Sequence, residues 1–245
     1  MTNEITLYDI PDKNASHSCW SLHVWKTRLA LNAKGIDYKT HWLEYPEIEP
    51  TLKSFGLAPQ EGQFKPYTVP AIYFPGDDGG YFMNSRVIIV ELERRFPTPE
   101  WPSLHLEDPA VDRSYELIKG IAEFIWPLVV PNVPKNILSE KSLDYFYSTR
   151  KEEIGMTLDE YGATVDREEA WEKSKPAFDK VVTALKEKGG PFFLGETVSY
   201  ADFIVAGFLQ FVRRAIGEDE FKRVEAWPQI IALQHACGKW LQGDS

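Results

Sequence analysis

Residues 21–35, SLHVWKTRLALNAKG, carry a regular helical pattern. Trp25, Leu29 and Ala33 recur every four residues, which places them on one side of a helix. Gly35 follows as a residue typical of a helix end. This stretch therefore predicts a helix with one apolar face, and the segments on either side of it decide what that face packs against.

A short polar loop precedes the helix and brings together three hydroxyl groups and a thiol, those of Ser16, Ser18, Cys19 and Ser21. Serine is preferred at helix starts because its side chain accepts a hydrogen bond from free backbone N–H groups. The same N–H groups and the helix dipole also favour an anion, so a group placed there can serve a ligand instead. From this loop alone, capping and a chemical role both remain open.

The first hundred residues alternate between strand-like and helix-like segments. Short β-rich runs predict strands at 5–10, 37–45, 69–74 and 81–83, the last two joined by the hairpin signal PGDDGG. Two further helices are predicted, a weak one at 47–56 broken by Pro50 and a well-punctuated one at 84–97. This order predicts a compact α/β sandwich.

The composition changes after residue 97. The segment TPEWPSLHLEDP, which begins at Thr98, holds three prolines and is typical of a linker. Helical patterns then dominate, at 109–130, 139–161, 168–188, 199–216 and 227–242. The predicted architecture is an α/β domain at 1–97, a linker at 98–108 and an all-helical domain at 109–245.

Charge and cysteine content narrow the function. The chain has 245 residues, 43% of them hydrophobic, which is ample for a packed core, and a net charge of −10. That charge repels phosphates, so we expect no nucleic-acid partner and no membrane partner. The two cysteines, Cys19 and Cys237, fit a reducing compartment. With no signal peptide or membrane span recognisable, we expect a cytoplasmic protein, and no ligand cluster suggests a metal.

Two further positions in the first domain stand out. Pro70 begins the third predicted strand, and a cis peptide bond there would leave the backbone of Val69 free to pair with a bound peptide. Asn84 and Ser85 open the last helix of the domain. Both are ordinary capping residues, yet a helix start of this kind also binds a small carboxylate.

Taken together, the serine before the first helix, the Val-Pro pair, the Asn-Ser helix start and the helical second domain resemble the cytosolic glutathione transferases. FFLGETVSYADFIVAGFLQ (192–210) is similar to the buried core helix of that family, with Ser199 and Asp202 as a capping box. The long polar loop followed by SLHVWKTRLALNAKG resembles more specifically the fungal-specific class A (FuA) transferases and the bacterial lignin β-etherases. Two residues depart from that pattern, Leu22 in place of a proline and Asn84 in place of an acid.

The resemblance implies a thioredoxin-like first domain that binds glutathione through Ser21, Val69, Pro70, Asn84 and Ser85. Ser21 would hydrogen-bond the glutathione sulfur. A free thiol with a pKa near 8.5 is only a few per cent thiolate at neutral pH. One charge-assisted hydrogen bond and a helix N-terminus together lower a thiol pKa by about one to two units, so no general base is required.

The thiolate is expected to attack a hydrophobic aromatic electrophile or to reduce a peroxide, with aryl-ether cleavage and phenolic-ligand binding as further expectations. Domain interfaces favour apolar clefts, so aromatic residues near the predicted interface are candidates for the co-substrate pocket: Trp20, Trp25, Phe124 and Trp126. Lys53 and Lys65 are candidates for the glycine carboxylate of glutathione. The family resemblance also implies a homodimer.

Two alternatives stay open. Cys19 lies two residues before Ser21, and a nucleophilic cysteine there would make the protein a thiol transferase that removes glutathione from mixed disulfides. The other alternative is a non-catalytic member of the fold that binds aromatic ligands or regulates a partner.

Overall fold

The computed structural model describes residues 4–242 of the chain. The outermost residues of the two predicted domains, 1–3 and 243–245, lie outside the described part. Within residues 4–242, the first domain holds a four-stranded sheet with three helices, and the part after residue 109 is mainly helical. The predicted α/β plus all-α fold is confirmed.

The sheet has the strand order β2-β1-β3-β4. Its strands are β1 (Thr6–Asp9), β2 (Lys39–Trp42), β3 (Ala71–Phe74) and β4 (Gly80–Met83). β1 runs parallel to β2, with Thr6 opposite Lys39, and antiparallel to β3, with Leu7 opposite Ile72. All four predicted strands are present, and three of them are shorter than their β-rich runs.

Three helices complete the first domain: α1 (Leu22–Lys34), α2 (Tyr45–Ser54) and α3 (Ser85–Arg95). The prediction that Pro50 breaks the second helix is wrong, because α2 runs through it without interruption. A proline inside a helix forfeits the hydrogen bond of its own nitrogen. Here the helix starts earlier than predicted, at a capping box of Glu44 and Glu47, and its two buried residues, Ile48 and Leu52, lie on one side.

The second domain contains eight helices within residues 4–242: α4 (Ala110–Val129), α5 (Val133–Asn136), α6 (Glu140–Ile154), α7 (Leu158–Gly162), α8 (Arg167–Lys186), α9 (Tyr200–Ile216), α10 (Glu218–Phe221) and α11 (Pro228–Ala236). Short 3-10 turns at Val130–Asn132, Lys222–Ala226 and Gly238–Trp240 join or end them.

Two predicted helices of this domain differ in the structure. The helix predicted at 139–161 is two helices, α6 and α7, because Gly155 adopts a left-handed conformation with φ 82° and ends α6. Thr157 and Glu160 then form a capping box that starts α7. The helix predicted at 227–242 ends at Ala236.

The predicted capping box at the start of α9 is confirmed. The backbone N–H and the hydroxyl of Ser199 both donate to Asp202 Oδ2, at 2.7 and 2.8 Å, and Phe193 N donates to Asp202 Oδ1 at 2.8 Å. Both residues are fully buried. The box therefore satisfies polar groups at the centre of the core, where a lost hydrogen bond is costly.

Hydrogen bonds hold the segment between α3 and α4 in place. The buried ammonium of Lys34, at the end of α1, donates to the carbonyl oxygens of Phe96 and Pro102 at 2.8 and 2.7 Å. Further along, Tyr200 N donates to the carbonyl oxygen of Leu104 at 2.9 Å. These contacts fix the angle at which the helical domain leaves the sheet.

α1 and α9 pack directly against each other and form the seam between the two domains. Gly207 of α9 makes the approach close: a Cβ atom built there would lie 3.1 Å from Trp25 Cβ and 3.2 Å from the Leu22 carbonyl oxygen. No other residue type leaves that space. Ser21, at the start of α1, is therefore positioned by the second domain as well as the first.

No helix among residues 4–242 is both long and apolar enough to cross a lipid bilayer. Within the same residues, His, Cys, Asp and Glu side chains form no group of three or more that could hold a metal ion.

We predict that Gly207→Ala lowers the free energy of unfolding by about 1–3 kcal/mol, because its methyl group overpacks the seam. Urea denaturation measures the change. Gly120→Ala in α4 is the matched control, since a Cβ there meets Ala177 Cβ at an ordinary 3.9 Å. The control gains helix propensity and should be neutral or slightly stabilising; equal effects of the two substitutions would contradict the tight seam.

Candidate active site

The loop before α1 is organised by one buried carboxylate, that of Asp12. Its Oδ1 accepts from the backbone N–H groups of Asn14 and Ser18, at 3.1 and 3.2 Å. Its Oδ2 pairs with Arg214 at the end of α9. The loop is also bound to the second domain by a hydrogen bond of 2.7 Å from Lys13 N to the carbonyl oxygen of Ile137. It is therefore an ordered arm that leads to Ser21.

Ser21 occupies the N-cap position of α1, yet its hydroxyl makes no capping hydrogen bond. Its carbonyl oxygen accepts the first helical bond, from Trp25 N at 2.9 Å. Within residues 4–242 the hydroxyl has no hydrogen-bond partner. The side chain borders the cleft between the domains, so the hydroxyl is free to meet a ligand at a helix N-terminus.

Cys19 lies behind the loop rather than in the cleft. The residue is 1% exposed and packs near the fully buried ion pair of Asp9 and Arg28, whose Oδ2 and Nε are 3.0 Å apart. Burial raises the pKa of Asp9, and the Arg28 charge opposes that shift. Cys19 borders none of the three cavities described below.

The peptide bond between Val69 and Pro70 is cis. β3 starts at Ala71, so Val69 lies outside the hydrogen-bond ladder of the sheet. Its N–H and carbonyl groups have no hydrogen-bond partner in the described part of the chain. The residue borders the cleft, and its backbone can therefore pair with an extended peptide.

Asn84 caps α3 and also holds a neighbouring loop. Its Oδ1 accepts from Arg86 N at 2.9 Å, and its Nδ2 donates to Gln60 Oε1 at 2.6 Å. The backbone of Asn84 has a positive φ of 82°, a conformation that asparagine tolerates better than most residues. Ser85 follows it in the first turn of α3 and is 6% exposed.

Three adjoining cavities fill the cleft. We call them the aromatic cavity (about 330 Å³), the central groove (about 280 Å³) and the Ser85 groove (about 180 Å³). Six aromatic residues border the aromatic cavity: Trp20, Tyr45, Trp126, Phe146, Tyr161 and Phe211. The central groove joins Ser21 to Lys65 and Val69, and the Ser85 groove continues from Val69 to Asn84 and Ser85.

The four aromatic residues predicted for the co-substrate pocket are divided by the structure. Trp20 and Trp126 border the aromatic cavity, whereas Trp25 and Phe124 do not. Trp25 is 3% exposed and points into the seam at Gly207. Phe124 precedes Trp126 by two residues, which is about 200° around a helix, so the two rings face different ways.

The two lysines predicted for a carboxylate also differ in position. Lys65 borders both the central groove and the Ser85 groove. Lys53 borders neither, and its ammonium pairs with Glu49 at 2.6 Å on the exposed side of α2.

Sequence reasoning missed several residues that border the cleft. Arg150 and Glu153 of α6 face both the aromatic cavity and the central groove, with Arg150 Nη1 3.2 Å from Glu153 Oε2. Gln60 borders the Ser85 groove and holds Asn84. These residues come from a helix and a loop that show no local motif, so only the packing of the domains reveals them.

His23 and Lys26, in the first turns of α1, are also absent from the site residues predicted from the sequence. Lys26 is 2% exposed, and burial together with the nearby Arg86 charge lowers the pKa of its ammonium to about 7. Lys26 Nζ lies 3.3 Å from His23 Nδ1. His23 is exposed to solvent in the cleft; the protein atoms packed around the ring and the charges of Lys26 and Arg150 lower its pKa.

Comparison with known proteins agrees with this geometry. The glutathione S-transferase N-terminal domain matches residues 20–95, and the C-terminal domain matches residues 115–230. A glutathione S-transferase-like protein of Aspergillus flavus is 31% identical over 250 aligned residues, covering 91% of this chain and 86% of the relative.

Solved structures of fungal transferases superpose along almost the whole chain. A glutathione S-transferase of Ceriporiopsis subvermispora in complex with glutathione is 30% identical, with a TM-score of 0.82, and covers 97% of this chain and 98% of its own. The glutathione transferase GSTFuA3 of Phanerochaete chrysosporium is 25% identical with a TM-score of 0.83, and 98% of each chain is covered. The chain therefore belongs to the cytosolic glutathione transferases of the FuA type and is a glutathione transferase.

Proposed function

We propose that Ser21 stabilises the thiolate of bound glutathione and that the thiolate then attacks a hydrophobic aromatic electrophile or reduces a peroxide. The observation that carries the proposal is the unpartnered Ser21 hydroxyl. It stands at the N-terminus of α1 and borders the aromatic cavity as well as the central groove. A hydroxyl at this position can donate a hydrogen bond to the glutathione sulfur. A ligand in the aromatic cavity would lie within reach of the same sulfur.

The tripeptide would lie along the two grooves. Val69 offers a free N–H and a free carbonyl group for the cysteinyl backbone, next to the cis Pro70. The γ-glutamyl carboxylate would bind the hydroxyl and N–H of Ser85 at the start of α3, beside Asn84. Lys65 would pair with the glycine carboxylate. The Ceriporiopsis relative with bound glutathione supports a glutathione site in this fold.

The hydrogen bonds that the Asn84 side chain already makes affect how strongly this site binds glutathione. Its amide oxygen serves the start of α3 and its amide nitrogen serves Gln60. An acidic residue at this position would add a negative charge for the glutathione amino group. We therefore expect the amino group to be held more weakly here than in relatives that carry the acid.

The co-substrate would be a flat, mainly apolar molecule. The rings of Trp126 and Phe211 lie 5.5 Å apart between centroids, and those of Tyr45 and Phe146 lie 5.6 Å apart. Such surroundings favour stacking against an aromatic ligand. Phenolic ligands and aryl ethers fit the same description, and a ligand-binding role in addition to catalysis would use the same cavity.

The burial of Cys19 disfavours a Cys19-dependent thiol transferase. A mixed disulfide must reach the attacking sulfur, and Cys19 is 1% exposed behind the loop. Cys237 is fully buried, and burial raises the pKa of its thiol. Cys19 and Cys237 form no disulfide within residues 4–242, which suits the reducing conditions of the cytoplasm, where we expect the protein to act.

We predict that Ser21→Ala leaves glutathione binding largely intact but raises the pKa of the bound thiol by about one to two units, because the thiolate loses a hydrogen bond. The ultraviolet absorbance of the thiolate, followed against pH in the complex, measures the shift, and calorimetry measures binding.

Ser18→Ala is the control for this experiment, since Ser18 belongs to the same loop and binds Asp12 through its backbone only. Its thiol titration should match that of the unmodified protein. An unchanged titration in Ser21→Ala would reject the role of Ser21, and a protein that binds no glutathione would reject the whole site.

We predict that Trp126→Leu raises the KM for an aromatic co-substrate about fivefold, because about 1 kcal/mol of apolar contact is lost. The affinity for glutathione should stay unchanged. Steady-state kinetics with a chloronitroaromatic substrate measures the effect. Phe124→Leu is the matched control on the same helix, and an equal rise in KM for both variants would place the co-substrate elsewhere.

We also propose that the protein is a homodimer, as the family resemblance implies. Val87 and Val90 of α3, 50% and 62% exposed, form an apolar strip on the outer face of the first domain. Sedimentation equilibrium distinguishes one chain of 28.1 kDa from two, and a monomer would contradict the proposal.

A further inference from the structure

His23 stands where the three cavities meet. Within residues 4–242 it is the one residue that borders the aromatic cavity, the central groove and the Ser85 groove together. Ser21 borders the first two and Val69 the last two. If the grooves hold the tripeptide and the aromatic cavity holds the electrophile, the reacting sulfur must lie at this junction.

Lys26 fixes which ring nitrogen of His23 carries the proton. An ammonium group has hydrogens to donate and no lone pair to accept with. Lys26 Nζ is 3.3 Å from His23 Nδ1, so while Lys26 carries its proton Nδ1 accepts and the ring proton resides on Nε2. Nδ1 thus faces the helix side, and Nε2–H is left as a donor for the cleft.

The surroundings of the pair keep the imidazole neutral. Lys26 forms no ion pair with a carboxylate in the described part of the chain, and its ammonium lies 4.9 Å from the centre of the Tyr115 ring of α4. Arg86 of α3 covers the same ring at 4.3 Å, and Arg150 of α6 faces His23 from across the cleft. A positive charge on His23 would face the cations of Lys26 and Arg150, which disfavours it, while the Glu153 carboxylate at the same cavity is paired with Arg150.

We propose that His23 donates a hydrogen bond from Nε2 to the glutathione sulfur, as a second donor beside Ser21, and that Lys26 is the positioning residue that holds His23 in this tautomer. The inference deepens the proposed function and rests on it. The imidazole keeps its proton throughout: it donates to the thiolate without transferring hydrogen, so it is neither a general acid nor a base.

This arrangement serves a thiolate better than a charged histidine would. A neutral N–H donor stabilises the anion yet does not reprotonate it, since neutral imidazole is a far weaker acid than a thiol. The positive field comes instead from Lys26, Arg86 and Arg150, none of which needs to touch the sulfur. The sulfur therefore remains free to attack on the side of the aromatic cavity.

The test is a titration of the glutathione thiol in complex with His23→Phe and His23→Gln. Phenylalanine keeps the ring shape without a donor, and we expect the pKa of the bound thiol to rise by about one unit. Glutamine places an amide N–H close to the position of Nε2 and should restore most of the shift. His235→Phe on the exposed side of α11 is the matched control and should leave the titration unchanged.

The positioning role of Lys26 is tested by the tautomer of His23, which a purely structural contribution of Lys26 would leave unchanged. Nitrogen NMR of the ring, recorded below pH 7 where Lys26 is an ammonium, should show the Nε2–H tautomer of His23 in the unmodified protein and in Lys26→Arg, and a mixture of tautomers in Lys26→Met. Lys119→Met on the exposed side of α4 is the control. The unmodified protein alone decides the tautomer, so the experiment does not depend on a variant that folds poorly.

The outcomes separate this inference from the proposed function. An Nδ1–H tautomer in the unmodified protein, or the same thiol pKa in His23→Phe as in the unmodified protein, would overturn the role of His23. If His23→Phe is without effect while Ser21→Ala raises the thiol pKa, only the second donor is lost. If glutathione does not bind at all, the proposed function itself fails.

Discussion

The close contact between α1 and α9 is the constraint on which the rest of the molecule depends. Gly207 lets the two helices approach until the side chain of Trp25 fills the seam. Because α1 also carries Ser21, His23 and Lys26, the depth of this contact fixes the distance between the helix start and the wall of the second domain. The aromatic cavity and the two grooves lie where the seam ends. The packing of α1 against α9 therefore also determines the shape of the cleft.

Electrostatics in the cleft run against the charge of the whole chain. The protein carries a net charge of −10, yet Lys26, Lys65 and Arg150 surround the site proposed for an anionic tripeptide. A local cluster of cations and helix N-termini decides anion binding at short range, because screening weakens the field of distant surface charges. Acidic composition therefore excludes extended phosphate partners without excluding a small anion.

The sequence predicted the parts of the site that rest on local rules. A serine at a helix start, a proline at the head of a strand, an Asn-Ser helix start and a capping box each have a signature within a few residues, and the structure holds all four. Pro50 was misjudged because a proline signal was weighed without the capping box that starts α2 earlier. The end of α6 at Gly155 was missed for a similar reason, since a single glycine was outweighed by the helical pattern on both sides.

The walls of the cleft could not be predicted in the same way. Trp20 and Trp25 are equally aromatic and close in sequence, yet Trp20 lies in the loop before α1 and borders the cleft, whereas the phase of α1 directs Trp25 into the seam. Arg150 and Glu153 meet Ser21 through the packing of α6 against the first domain, a contact with no signal in either segment. The importance of His23 depends on a lysine one turn away, Lys26, whose burial the sequence does not reveal.

The anchoring of the loop before α1 bears on how such proteins can be recombined. Asp12 and Lys13 belong to the first domain, but their partners, Arg214 and Ile137, belong to the second. A hybrid that joins this first domain to the helical domain of a relative would keep Ser21, Val69 and Ser85 and still release the arm that presents Ser21. Ancestral exchange of whole domains would thus have required matched changes on both sides, so the two halves of the chain are expected to have evolved as a single inherited unit.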